Sequence, residues 1–220
     1  HYVDASEAWY QFDSGNTNPY DCGDHGTHVL GTMIGLDRNT NDTIGVAFNG
    51  LWMGSPILCG TGTEDNVAAF QYSLDPDNNP ATFQDMPDVI NNSWWDPELG
   101  DDDCESVYVD VLNALEASGI AVVFSAGNAG PDPMTITVPH NINTGLVNTF
   151  TVGALDGNTA SYPIADFSSI GPSHCGGENS ILIKPEVSAP GVMVRSAGLN
   201  ETYNLKSGTS MAAPHVCGAI

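Results

Sequence analysis

The stretch "IAVVFSAGNAGP", residues 120–131, decides how this sequence folds. It opens as a continuous apolar run, without the alternation of a half-exposed strand, and then breaks at Gly127-Asn128-Ala129-Gly130. Such a run is the mark of a strand buried on both faces. Just before it, "ESVYVDVLNALEASG" places apolar residues at 108, 111, 112 and 115, which is helix spacing, and stops at Gly119. Further strands are expected at "DVINNSW" (88–94), "FTVGAL" (150–155) and "VMVRSA" (192–197). Helices are expected at "HGTHVLGTMIG" (25–35) and "NVAAFQYSL" (66–74), the latter with Thr63, Glu64 and Asp65 as its cap and acidic first turn. Strands alternating with helices predict an α/β fold, a doubly wound parallel sheet with helices on both faces. Function then collects in the loops beyond the strands' carboxyl ends, here "SWWDP" and "SAGNAGP".

Composition narrows the function. Four Lys and Arg stand against 27 Asp and Glu, a net charge of −23 over 220 residues. Nucleic acid is excluded as a partner, because phosphate contacts need a basic face. Docking on anionic lipid is excluded on the same ground, and no apolar run approaches the length of a membrane span. The acids are spread between apolar segments, so they predict a solubilising surface rather than a disordered tail. Cys22, Cys59, Cys104, Cys175 and Cys217 lie far apart, with no C-x-x-C to suggest a zinc ribbon or redox motif. The odd count leaves one thiol over, and Cys217, among small residues on a helical pattern, is the expected buried free thiol. Pairing among the other four is open. The chain starts at His1 without Met and ends inside an apolar helical pattern, so a single domain over 1–220, cut at both termini, is expected.

Three short motifs carry chemistry. In "SGTSMAAPHV", residues 207–216, Pro214 is tolerable only in a first helical turn, so a helix must begin near Ser210. That puts the Ser210 hydroxyl at the positive end of a helix dipole, beside backbone N–H groups still free to donate. Those properties suit a nucleophile that stabilises an oxyanion, although an ordinary capping serine fits the same position. His25 also opens a helix; His28 follows three residues later, but no third ligand or His-Glu-x-x-His pattern supports zinc. Asn128 follows the buried strand, either as a turn residue or as an amide donor aimed into a cleft.

Together, "DHGTHVLGT", "SAGNAGP", "APGV" and "SGTSMAAPHV" occur in this order, with "IGVAF", "PDVINNSW", "ADFSSIGPS" and "IKPEVSAPGV" between them. The set resembles the subtilisin-like serine peptidases, most closely their bacillopeptidase F-like branch, over essentially the whole chain. The resemblance implies a secreted endopeptidase that acts as a monomer on polypeptides and needs no cofactor for its chemistry. It implies that His25 is the general base and Ser210 the nucleophile that forms an acyl-enzyme. Asn128 and the Ser210 N–H would form the oxyanion hole, with the Thr209 hydroxyl as a helper. Ser93, Trp94 and Trp95, with Ser125, Ala126 and Gly127, would line the specificity pocket and pair with an extended substrate. Trp95 departs from the family, which generally has Gly there. Structural calcium is an expectation at "LDRNTNDTIGV" (36–46), where Asp37, Asn39 and Asn41 alternate like oxygen ligands, with a plain polar turn as the alternative. Asp101-Asp102-Asp103 is a second acidic run with the same two readings.

The remaining triad member is the acid. Asp13-Ser14-Gly15 has the right motif and chain order. It is not preceded by an aliphatic strand, since Ala8-Trp9-Tyr10-Gln11-Phe12 stand there, and only 12 positions separate it from His25. Asp4 fails for the same reason, and His1 resembles the family's His shortly after the true acid. The acid is therefore expected upstream, on a first strand that is missing here, leaving these 220 residues nearly inactive alone. Loss of such an acid costs about 10⁴ in a chymotrypsin-fold enzyme. Two competing readings are a non-catalytic relative that serves as a binding module and an α/β-hydrolase. The second lacks its Gly-x-Ser-x-Gly and has its Ser after its His.

Overall fold

A computed structural model describes residues 8–12, 18–60, 62–100, 103–104, 106–144, 147–176 and 182–220. His1, Asp4, Asp13, Ser14, Gly15, Asp101 and Asp102 lie outside the described residues. Four helices are present among them: α1 (His25–Ile34), α2 (Thr63–Leu74), α3 (Tyr108–Ala117) and α4 (Thr209–Cys217). The central sheet consists of β1 (Val89–Asn92), β2 (Ala121–Ser125), β3 (Phe150–Leu155) and β4 (Val187–Pro190), in that spatial order. Every pair is parallel, with Val89 opposite Ala121, Phe124 opposite Thr151 and Val152 opposite Val187. The α/β fold expected from the alternating pattern is therefore the one observed.

The apolar continuity of β2 has a direct cause. Phe124, with Val122 beside it, points into a cluster with Phe70 of α2, Tyr108, Leu112 and Leu115 of α3, Trp94 and Ile142. Val123 points the other way, against Val152, Ala154 and Ala189 of the sheet and Ala212, Ala213 and Cys217 of α4. Successive strand residues face opposite sides, so a sheet covered on both faces needs apolar residues at every position. The first face packs aromatic rings; the second uses small residues, which let α4 come close to the sheet.

Two expectations change in detail. Residues 192–197 do not join the parallel sheet. They contribute to β5 (Val194–Gly198), which pairs antiparallel with β6 (Thr202–Lys206), Arg195 opposite Leu205. Asn200 and Glu201 at the turn both take positive φ, 58° and 59°. That is the geometry of a tight hairpin, without the Asn-Gly that would have announced it. Conversely, β4 is hidden in sequence by Pro185 and Pro190. It is an edge strand, where a missing N–H is tolerated.

Disulfides join Cys22 to Cys59 and Cys104 to Cys175, across separations of 37 and 71 residues. Loop closure on that scale is worth about 4 kcal/mol each in the chain-entropy account. Cys217 is free and buried, as expected, and burial pushes its thiol up to about 12. The Cys22–Cys59 bridge anchors the chain just ahead of α1. No described helix is long and apolar enough to cross a membrane.

Candidate active site

Ser210 is the second residue of α4, which begins where Gly208 adopts a φ of 155°. At the N-terminus of a helix the first N–H groups have no intrahelical acceptor. One of them is used in a specific way: the Thr209 N–H donates to Asn128 Oδ1 at 2.9 Å. A backbone N–H can only donate, so the atom facing it must be the amide oxygen, and Nδ2 is turned the other way. The Thr209 hydroxyl donates to the same oxygen at 3.0 Å and accepts from the Gly127 N–H at 3.1 Å. Its single proton is thus spent on Asn128. Thr209 holds the amide in place, and Asn128, which is exposed, presents Nδ2 to solvent beside the start of α4. Ser210 and Ser93 are tied as well: Ser93 Oγ donates to the Ser210 carbonyl at 3.0 Å, and Ser210 Oγ to the Ser93 carbonyl at 3.5 Å.

His25 is the first residue of α1 and half-buried. The helix is capped from a distance by Asp21, whose Oδ2 accepts from the N–H and hydroxyl of Thr27, both at 2.7 Å, while Oδ1 accepts from the Gly23 N–H at 3.0 Å. Asp24 accepts from Lys206 Nζ at 2.6 Å and Asn204 Nδ2 at 2.8 Å, fastening the helix start to β6. His28, fully buried, completes the clamp through Nε2, 3.0 Å from the Val194 carbonyl. It ties α1 to the hairpin. Burial, then the charge of Lys206, hold His25 below the usual imidazole range, while Asp21 and Asp24 act in the opposite sense. This direction favours the neutral ring, the state a general base requires. Among the described residues no carboxylate is hydrogen-bonded to His25, and no hydrogen bond joins it to Ser210.

The cleft walls are the carboxyl ends of β1 and β2. Ser125 and Ala126 are buried, and Gly127 turns away from β2 with a φ of 104°. Beyond β1, Ser93 is buried, the Trp94 indole sits in the aromatic cluster and donates to Asn92 Oδ1 at 3.0 Å, and Trp95 is 58% exposed. His140 escaped the sequence reading. It is fully buried with Nε2 2.5 Å from the Trp94 carbonyl, and nothing in "TVPHNIN" marks it. Against β1 lies a cavity of about 1080 Å³, lined among others by His25, Leu30, Phe70, Ile90 and Asn92 and reaching Ser93 and Trp94. Trp9 and Gly54, which pair with each other in parallel, line its far side. Among the described residues the outer edge of β1 is unpaired.

The model of the subtilase family matches residues 2–220. The chain belongs to the subtilase family. It is similar to bacillopeptidase F of Bacillus subtilis (strain 168), with 38% identity over 94% of this chain and 14% of that protein. It is similar also to subtilisin DY of Bacillus licheniformis, with 35% identity over 94% of this chain and 66% of that protein. Among solved structures, an S41 psychrophilic protease superimposes with a TM-score of 0.74 at 29% identity, covering 97% of this chain and 69% of its own. Sphericase does so with a TM-score of 0.75 at 30% identity, covering 95% and 67%. The chain spans less than two thirds of the length of both curated relatives.

In this subtilase the loop at 36–46 is a small hairpin, Leu36–Asp37 pairing with Asp42–Thr43. Asp37 closes its own turn, accepting from the N–H groups of Asn39 and Thr40 and the Thr40 hydroxyl. Asp42 is paired with Arg195 at 2.7 Å. With one carboxylate occupied by local donors and the other neutralised, this loop fits a polar turn better than a calcium cage.

Proposed function

We propose that this chain supplies the base, the nucleophile and the oxyanion hole of a secreted, monomeric serine endopeptidase. Ser210 Oγ attacks the scissile carbonyl while His25 takes its proton. The tetrahedral oxygen is stabilised by Asn128 Nδ2 and the Ser210 N–H. His25 then protonates the leaving amine, and water resolves the acyl-enzyme by the same route. The observation that carries the reading is the Thr209–Asn128 clamp: it turns an amide donor outward beside the one serine placed at the start of α4. An extended polypeptide would run along Ser125–Gly127 and Ser93–Trp95, with the exposed Trp95 reshaping the subsites at that edge. Two disulfides support an oxidising, extracellular setting.

The acid of the triad belongs on a strand that lies along the free edge of β1, in the cavity beside His25. Three observations support this: the unpaired edge, the adjoining volume of about 1080 Å³, and the commitment of Asp21 and Asp24 to capping and to Lys206. Residues 1–220 alone are then nearly inactive. Labelling with a fluorophosphonate tests both parts. The full-length protein should label at Ser210, and the isolated chain should label slower by about 10⁴. Rapid labelling of the isolated chain that Asp13→Ala abolishes would move the acid to Asp13. No labelling of the full-length protein would favour a non-catalytic binding module.

A further inference from the structure

The segment "DPDNNPATFQD", residues 75–85, connects α2 to β1, and its last residue, Asp85, also lines the cavity beside His25. It folds so that one carboxylate oxygen from each of Asp75, Asp77 and Asp85 lies within 4.8 Å of the others. The folding is local. The Asn79 N–H is shared between Asp75 Oδ1 at 2.6 Å and Asp77 Oδ1 at 2.8 Å, and the Asp77 N–H donates to Asp85 Oδ2 at 3.2 Å. Each side chain keeps one oxygen without a protein donor. For Asp75 and Asp77 that oxygen can be met by solvent. For Asp85 it cannot: the residue is only 8% exposed, and its Oδ1 is buried with no hydrogen-bond partner. An ionised carboxylate oxygen in that situation is costly unless a cation meets it.

Three of the chain's four Lys and Arg have partners elsewhere. Lys184, Arg195 and Lys206 are paired with Glu186, Asp42 and Asp24. Among the described residues, no ion pair reaches the three acids. The carbonyl end of α2, whose last turn carries no basic residue, adds further negative potential at Asp75.

The geometry points to a divalent-cation site at Asp75, Asp77 and Asp85, of the calcium class. The ligand set is all oxygen, which disfavours zinc and copper. Oxygens on a shell of about 2.4 Å radius can be at most about 4.8 Å apart, which the three carboxylates satisfy, and calcium completes such a shell with carbonyls and water. The site fixes the loop that feeds β1, and through β1 the Ser93–Trp95 wall of the cleft. Asp85 also lines the cavity assigned above to the acid's strand, so ion binding rather than activity is the readout that separates the two proposals.

The test is calorimetric titration of the chelator-stripped, full-length protein with calcium, alongside Asp77→Asn, Asp85→Asn and Asp37→Asn. The wild type and Asp37→Asn should bind one more ion per molecule than either of the other two variants. In chelator, Asp85→Asn should melt at or above the wild-type temperature, because it removes one of three mutually repelling charges; in calcium it should lack the wild-type gain. Asp77 is exposed, so its variant reads out binding even where the buried substitution disturbs folding. Equal ion numbers in the wild type, Asp77→Asn and Asp85→Asn, or loss of an ion from Asp37→Asn alone, would overturn the assignment.

Discussion

The Asn128–Thr209 arrangement makes a prediction that separates a donor from its holder. Asn128 Oδ1 takes two hydrogen bonds from Thr209, so Nδ2 is the group left for the oxyanion. Replacing Asn128 by Ala removes the donor. In a subtilisin, the source of the figure, loss of this donor costs about 10²–10³ in kcat, or about 2.7–4 kcal/mol. Asn128→Asp keeps an oxygen for Thr209 to hold but puts a charge where the oxyanion develops, so it should be at least as damaging. Thr209→Val is different. It keeps the shape and the backbone donor and removes only the hydroxyl. Of the two hydrogen bonds this hydroxyl makes, the one to Asn128 orients the amide and is worth about 1 kcal/mol, so kcat falls about fivefold, while loss of the acceptor for the Gly127 N–H lowers stability. The assay is steady-state peptide hydrolysis by the full-length protein, with KM and kcat measured separately. Both Asn128 variants should lower kcat with little change in KM. The reasoning is refuted if Thr209→Val falls as far as Asn128→Ala, since the hydroxyl would then be a direct donor, or if Asn128→Asp keeps wild-type turnover.

Two further predictions concern protons. Burial pushes His140 down to about 4, against about 6.5 in the unfolded chain. The unfolded state therefore binds the extra proton first, so the contribution to stability is complete above pH 6.5 and is lost as pH falls toward 4. It amounts to about 3 kcal/mol. Urea melts from pH 7.5 to 4 should show this slope in the wild type and a shallower one in His140→Gln; equal slopes would remove His140 as the cause. Lys206 holds the His25 proton affinity down and neutralises Asp24. Lys206→Met should raise the His25 pKa, read by NMR, and move the acid limb of kcat/KM to higher pH; an unchanged or lowered pKa would contradict the electrostatic account.

What could be read in the sequence follows from where the determining interactions lie. The buried strand at 120–125 was legible because its two-sided burial leaves a local trace, apolar residues at consecutive positions. The helix does start near Ser210, but not for the reason expected: Pro214 is the sixth residue of α4, past its first turn, and the Ser210 carbonyl that it cannot bond accepts from Ser93 Oγ instead. Trp94 and Trp95 look equivalent in sequence, yet just beyond β1 one indole enters the aromatic core and the other lies in solvent. The contacts from β6 left no trace in the sequence, because Asn204 and Lys206 reach Asp24 across 180 and 182 positions. The same hairpin binds His28 through the Val194 carbonyl, across 166 positions. The motif "DHGTH" thus contains one histidine proposed above as the base and another that ties the helix to the hairpin. Only the return of β5 and β6 over α1 tells them apart, since it buries His28 completely and leaves His25 half-exposed in the lining of the cavity.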